Sequence, residues 1–191
     1  MTDLDLVIVG GGPAGLSTAL PVHAAAPATR MVVLEAETYP REKICAGGIG
    51  ARALRVLEQL AIPIDCPHVA IDAMTLRFAG DEVTVRDPEL GIVVRRVEFD
   101  HMLAKATVAR GIAVRDATPV ASIAIEHDHV RVETTTGEVL RARAVIGADG
   151  VSGIVRRQAG FARPMLRAQV VELDTEATSR DAPRDTIVFD F

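Results

Sequence analysis

Short apolar runs bounded by glycine set the rhythm of this chain. Residues 4–9, Leu-Asp-Leu-Val-Ile-Val, end in three glycines and predict a buried parallel strand. Residues 13–26 predict a helix with Pro13 in its first turn, where a missing N–H costs nothing, and Pro21 as a kink. Residues 31–35, Met-Val-Val-Leu-Glu, predict a second buried strand, which completes a βαβ unit. Residues 36–50 read as irregular. Leu54, Leu57 and Leu60 give residues 51–60 a helical spacing.

The pattern then changes period. Met74, Leu76 and Phe78, followed by Val83 and Val85, alternate across residues 69–96 and predict antiparallel strands joined near Gly80-Asp81. Residues 98–110 return to helix, with Phe99, Leu103 and Ala106 on one face. Strands are expected at 112–115 and 118–125, and a hairpin over 129–135 and 138–146 turns at Thr136-Gly137. Ile146 to Gly150 closes a strand, and a short helix follows to about Gln158. Residues 165–173 and 186–191 again read as strands. The chain stops at Phe191 inside the last of these, so a truncated protein is expected.

Composition narrows the class. The 191 residues carry a net charge of −5, with no basic run of the kind that nucleic acid attracts. No apolar stretch approaches the roughly 20 residues of a membrane span. Met1 to Asp5 lack the basic start of a secretory signal, so the domain is expected to begin at its true N-terminus in a cytoplasmic setting. Cys45 and Cys66 match neither a zinc site nor a redox pair, and the five histidines show no ligand spacing, so no metal is expected.

Chemistry concentrates in a few motifs. Gly10-Gly11-Gly12-Pro13-Ala14-Gly15 matches GxGxxG between a strand and a helix. There Gly10 allows the tight turn, Gly12 lets backbone approach a pyrophosphate, and Gly15 lets helix and strand pack. The helix N-terminus offers N–H groups and a positive dipole end to phosphates. Glu35, about 20 residues further on and followed by Ala36, is placed to accept hydrogen bonds from ribose hydroxyls and to repel a 2′-phosphate. These features indicate a dinucleotide without separating FAD from NAD.

Three further segments carry a family resemblance. Ala144 to Arg156, with Gly147-Ala148-Asp149-Gly150 at its centre, resembles the GADGxxSxVR signature of the flavoprotein hydroxylase superfamily, with one residue of altered spacing after Ser152. Tyr39 to Ile49, containing Lys43, Cys45, Ala46, Gly47 and Gly48, resembles the PxxKxCxGG segment of the geranylgeranyl reductase family. Arg96-Val97-Glu98-Phe99-Asp100-His101-Met102-Leu103 resembles that family's RxxFDxxL stretch.

The resemblance implies a Rossmann-like α/β FAD-binding fold with an inserted, incomplete antiparallel β-sheet substrate domain. The FAD-binding domain is expected over 1–68 and 97–160, and the partial substrate sheet over 69–96 and 161–191. It implies FAD contacts from Asp149 and Gly150, from Arg96, from the loop at Cys45, Ala46, Gly47 and Gly48, and from strand residues near Val120 under the adenine. Cys45 would face the flavin, with no catalytic residue assigned. Asp100 could as easily serve the first turn of its helix.

The implied activity is reduction of C=C bonds in an isoprenoid or similar apolar substrate, with NAD(P)H as a candidate external electron donor and peripheral membrane contact as a candidate association. A monooxygenase or halogenase-like enzyme, and a non-catalytic truncated nucleotide-binding fragment, are the alternatives. The family's aromatic segment and its later GDAAG-type FAD motif are missing here. Weak or no stable FAD binding is therefore expected of these 191 residues alone.

Overall fold

A computed structural model describes residues 2–162, 170–176, 178 and 181–191. In chain order the elements are β1 (Thr2–Val9), α1 (Pro13–Ala25), β2 (Met31–Leu34), β3 (Gly48–Gly50), α2 (Ala51–Gln59), β4 (His68–Phe78), β5 (Asp81–Val94), α3 (Arg96–Ala109), β6 (Ala113–Arg115), β7 (Val120–Ile125), β8 (Val130–Thr134), β9 (Val139–Gly147), α4 (Ile154–Gln158) and β10 (Thr186–Asp190). They divide into two compact units. The first is Met1–Arg41 with Asp100–Ala168, and the second is Glu42–Phe99 with Gln169–Phe191.

The first unit is built on a six-stranded sheet in the order β6-β2-β1-β9-β8-β7. Strands β6, β2, β1 and β9 run parallel, and β8 and β7 add an antiparallel ribbon. Both faces of β1 and β2 are covered, which is why their sequences are unbroken apolar runs rather than alternations. Val7, Val9, Val32 and Leu34 point into a core shared with Ile123, Val132, Leu140, Ala142 and Val155. On the other face Ile8 lies beneath Gly15 of α1, whose Leu16, Ala19 and Leu20 are buried. Helix α1 runs through Pro21 without a break, because that residue lies on the exposed side.

The hairpin expected at Thr136-Gly137 is present. Gly137 adopts φ +83° and its N–H closes the turn on the Thr134 carbonyl. The buried stripe of α3 differs from the hydropathy reading. Phe99, Asp100, Leu103, Ala104 and Thr107 are buried, whereas Ala106 is only half-buried. Two polar residues thus occupy the stripe. Thr107 is satisfied by donating its hydroxyl to the Leu103 carbonyl at 2.8 Å, and Asp100 is taken up below.

The second unit holds a four-stranded sheet in the order β10-β4-β5-β3. β4 and β5 form the long antiparallel hairpin expected around Gly80, which adopts φ +93°. Its register slips between Ile71 and Ala73, leaving Pro88 outside the paired positions, where a missing N–H breaks no ladder. β3 was not expected. It is a three-residue strand that pairs Gly48 with Val93. The strand read over 165–173 falls partly outside the described residues, and residues 170–173 carry no regular structure. The strand read at 186–191 is β10, parallel to β4.

Candidate functional site

In the first unit, the glycine turn follows β1 directly. Gly10 adopts φ +106°, and a Cβ there would lie 2.3 Å from the Ala148 carbonyl oxygen, so only glycine fits against the end of β9. A Cβ on Gly15 would lie 1.9 Å from the Gly10 carbonyl oxygen, which accounts for close packing of helix on turn. Gly12 caps α1 without a side-chain hydrogen bond, and the first intrahelical bond is Leu16 N–H to its carbonyl at 3.0 Å. The backbone N–H groups of Ala14 and Gly15 precede that bond and remain available to an anion. No acidic side chain stands in the first turn to compete.

Glu35 follows β2 directly and is buried. Its Oε2 accepts the Gly11 N–H at 2.9 Å and Arg41 Nη2 at 3.1 Å, and its Oε1 accepts the Glu37 N–H at 3.2 Å. Arg41 also reaches Asp100, with Nη1 3.0 Å from Oδ2. The Arg41 side chain is 9% exposed and that of Asp100 is 0% exposed. Tyr39 lies beside them. Its hydroxyl donates to the Gly11 carbonyl, its ring stacks on His101 at 6.2 Å, and the Arg41 guanidinium stands 5.6 Å from its centre. Burial first, and then the Glu35 carboxylate, push the Tyr39 phenol well above its ordinary range, so the hydroxyl stays protonated as a donor.

The loop before β7 runs against the end of β2. Thr118 N–H donates to the Glu35 carbonyl at 2.8 Å and Ala117 N–H to the Glu37 carbonyl at 3.2 Å. Val120 begins β7 immediately after this contact. Ala36 is exposed beside Glu35.

Asp149 is engaged within the chain. Its Oδ2 accepts the Val155 N–H at 3.1 Å in the first turn of α4. A Cβ on Gly153 would lie 2.2 Å from Asp149 Oδ1, so glycine there is what lets the carboxylate reach the helix. Counted along the signature, Gly153 stands in the place of its serine while Val155 and Arg156 keep theirs, so the departure is a substitution and not the altered spacing read from the sequence, and this close approach is a physical reason for glycine there. Gly150 adopts φ +81° in open surroundings.

In the second unit, Cys45, Ala46 and Arg96 line one cleft of about 610 Å³ together with Lys43, His68 and Glu98. The Cys45 N–H donates to Glu172 Oε2 at 2.9 Å, and the Gly47 N–H points at the Cys45 sulfur at 3.5 Å. Gly47 adopts φ +75°, and a Cβ there would lie 1.9 Å from the Val94 carbonyl oxygen. Gly48 has open space on its Cβ side. Burial, and then the Glu98 and Asp65 carboxylates, push the Cys66 thiol up, which keeps it an inert thiol.

Asp100 goes beyond the sequence reading: it is fully buried, with its Oδ2 3.0 Å from Arg41 Nη1. Arg41 itself, together with Tyr39, was missed as a site residue. The signal available was their position inside the Tyr39–Ile49 motif, because nothing in hydropathy marks an arginine that will be buried. Among the described residues, no group of three His, Cys, Asp or Glu could hold a metal ion, and no helix is long and apolar enough to cross a membrane.

Comparison with known proteins places this geometry. The family model described as FAD binding domain matches residues 3–188. The chain is 32% identical over 168 residues to rifampicin monooxygenase of Streptomyces venezuelae, covering 84% of this chain and 34% of that protein. It is 31% identical over 166 residues to digeranylgeranylglycerophospholipid reductase 1 of Methanococcoides burtonii, covering 82% of this chain and 40% of that protein. Its fold matches the crystal structure of p-nitrophenol 4-monooxygenase PnpA from Pseudomonas putida DLL-E4 with a TM-score of 0.71 at 24% identity, over 84% of this chain and 44% of that one. The chain thus spans between about a third and a half of the length of these proteins.

Proposed function

This chain belongs to the FAD binding domain family, whose cofactor is FAD, and we propose on that premise that it supplies the nucleotide-binding part of an oxidoreductase that reduces C=C bonds of an isoprenoid or similarly apolar substrate. The family assignment and the similarity to a reductase named for a geranylgeranyl lipid support the reading. The observation that carries the apolar substrate is the second sheet. Register places Leu76, Phe78, Val83, Val85 and Phe189 on the side of the pleat that Met74 and Ile187 share, and all five are exposed. An alternating strand normally turns such residues inward, so a contiguous apolar face open to solvent is suited to an apolar ligand.

Within the first unit, the residues present are suited to the nucleotide part of the cofactor. The Ala14 and Gly15 N–H groups and the dipole of α1 would hold its pyrophosphate, and Glu35 its adenosine ribose. In the second unit, Arg96 and the Gly47-Gly48 backbone are proposed as cofactor contacts on the family resemblance alone, Arg96 through a planar guanidinium suited to phosphate. When bound, FAD supplies hydride transfer. The protein's own part is to hold the nucleotide and to bind the apolar substrate. NAD(P)H is the proposed electron source.

A monooxygenase reading is favoured by the similarity to rifampicin monooxygenase. One experiment separates the two. The full chain is incubated with FAD, a reductant and a geranylgeranyl lipid, once under nitrogen and once in air, and products are weighed by mass spectrometry. Gain of two hydrogens per double bond under nitrogen supports the reductase. Gain of an oxygen atom, in air only, supports the monooxygenase. Bound FAD with neither product leaves the chain a nucleotide-binding part and refutes turnover by these residues alone, and a chain that binds no FAD refutes the nucleotide-binding role itself.

A further inference from the structure

Glu35, Arg41 and Asp100 form a buried row of three charges, carboxylate–guanidinium–carboxylate. Such a row is costly to assemble. Each ion gives up its hydration, and apolar residues of similar volume would often hold the same elements together as well or better. Arg41 Nε, moreover, is buried without a hydrogen-bond acceptor. Stability alone therefore does not account for the arrangement.

What it does accomplish is to fix the Glu35 carboxylate. A carboxylate offers about four lone-pair positions. Two on Oε2 are filled by the Gly11 N–H and Arg41 Nη2, and one on Oε1 by the Glu37 N–H. Among the described residues one position remains, on Oε1. Without Arg41, only two backbone N–H groups would direct the side chain. Without Asp100, the guanidinium would lose its anchor on the buried face of α3.

We infer that Arg41 and Asp100 are positioning residues of the nucleotide site: Asp100 anchors Arg41, and Arg41 holds Glu35 in the one orientation that leaves an Oε1 lone pair for a ribose hydroxyl. The inference deepens the reading of Glu35 as the ribose acceptor and rests on it. It also explains why the Tyr39–Ile49 loop begins where it does. Tyr39-Pro40-Arg41 is the stretch that brings the guanidinium back under the end of β2, with the Tyr39 N–H held by Asp116 at 3.0 Å.

The test uses ADP and 2′,3′-dideoxy-ADP, which differ only in the hydroxyls that Glu35 would accept. Both are titrated into the full chain by calorimetry, with circular dichroism to verify folding. The wild type is expected to prefer ADP by about tenfold or more, the range of a hydrogen bond to a charged group. Glu35→Gln should remove most of that preference. Arg41→Met should reduce it to the Glu35→Gln level, the double variant should lose no more than either single one, and Arg41→Lys should restore only part of it. If Glu35→Gln removes the preference while Arg41→Met keeps it, the positioning role is overturned and the ribose reading stands. If the wild type shows no preference, or binds neither nucleotide, the ribose reading falls and the inference with it. If Arg41→Met does not fold, Arg41→Lys decides: a preference less than half that of the wild type supports the inference, and an unchanged one overturns it.

Discussion

Replacing Gly10 by alanine should be far more damaging than replacing Gly150, although both have positive φ, +106° and +81°. The conformational penalty is common to both and amounts to about 1–2 kcal/mol for a residue with a Cβ. At Gly150 nothing lies within 4 Å of the added carbon, so this penalty is the whole cost. At Gly10 the added carbon would lie 2.3 Å from the Ala148 oxygen and 2.8 Å from the Asp149 nitrogen. Relief requires the end of β9 to move by about 1 Å, more than a packed interior accommodates without loss. That movement breaks the Ala148 N–H bond to the Val9 carbonyl, now 2.7 Å, at a further cost of about 1–3 kcal/mol for the group left unsatisfied. Gly10→Ala should therefore cost about 2–5 kcal/mol, a large part of the roughly 5–15 kcal/mol that stabilises a domain. Urea unfolding followed by far-ultraviolet circular dichroism measures both variants. Equal losses for the two substitutions would refute the steric argument and leave only the dihedral term.

Asp149→Ala should remove the side-chain bond to the Val155 N–H and cost about 1 kcal/mol, the usual value of a helix cap; urea midpoints measure it, and Asp149→Asn, which can still accept, should lose less. Acid should weaken the edge of the first sheet through Glu138. Its pKa is depressed below the ordinary 4.5, first by the hydrogen bond from Arg115 and then by that cation's charge. The contribution is therefore present above about pH 4.5 and is lost as pH falls through the lower folded value. Because both side chains are more than a third exposed, it should stay below about 1 kcal/mol, shrink with added salt, and vanish from the pH profile of Glu138→Gln. Leu76→Ser with Phe78→Ser should leave unfolding within about 0.5 kcal/mol of wild type, because neither side chain is buried, yet reduce retention of the chain by an immobilised prenyl lipid. A marked loss of stability would mean that this face packs against the chain itself.

Much of this molecule could be read from local pattern. The apolar runs of β1 and β2, the glycine turn after Val9, the return to alternation at Met74 and the turns at Gly80 and Gly137 each depend on residues close in sequence. Their physics is short-range: a glycine where φ is positive, a run where both faces of a strand are covered, an alternation where one is. The same holds for Glu35, whose distance from Gly15 is set by the length of one helix and one strand. β3 was not legible because three residues, two of them glycine, carry no periodicity; its pairing with Val93 exists only because β5 lies alongside.

Tertiary structure decided the fate of the polar residues. The sequence sets Asp100 at the start of a helix, where solvent is the ordinary partner of a carboxylate. Folding buries it instead, because Arg41, 59 positions earlier, arrives at the same point to share its charge. Asp149 and Gly153 show the same division: the Asp-Gly turn is local, but only the packed approach of α4 brings the carboxylate onto the helix and explains the glycine at 153. A buried charge is tolerable only with its partner in place. That partner comes from elsewhere in the chain, so hydropathy cannot announce it, and only the folded chain supplies it.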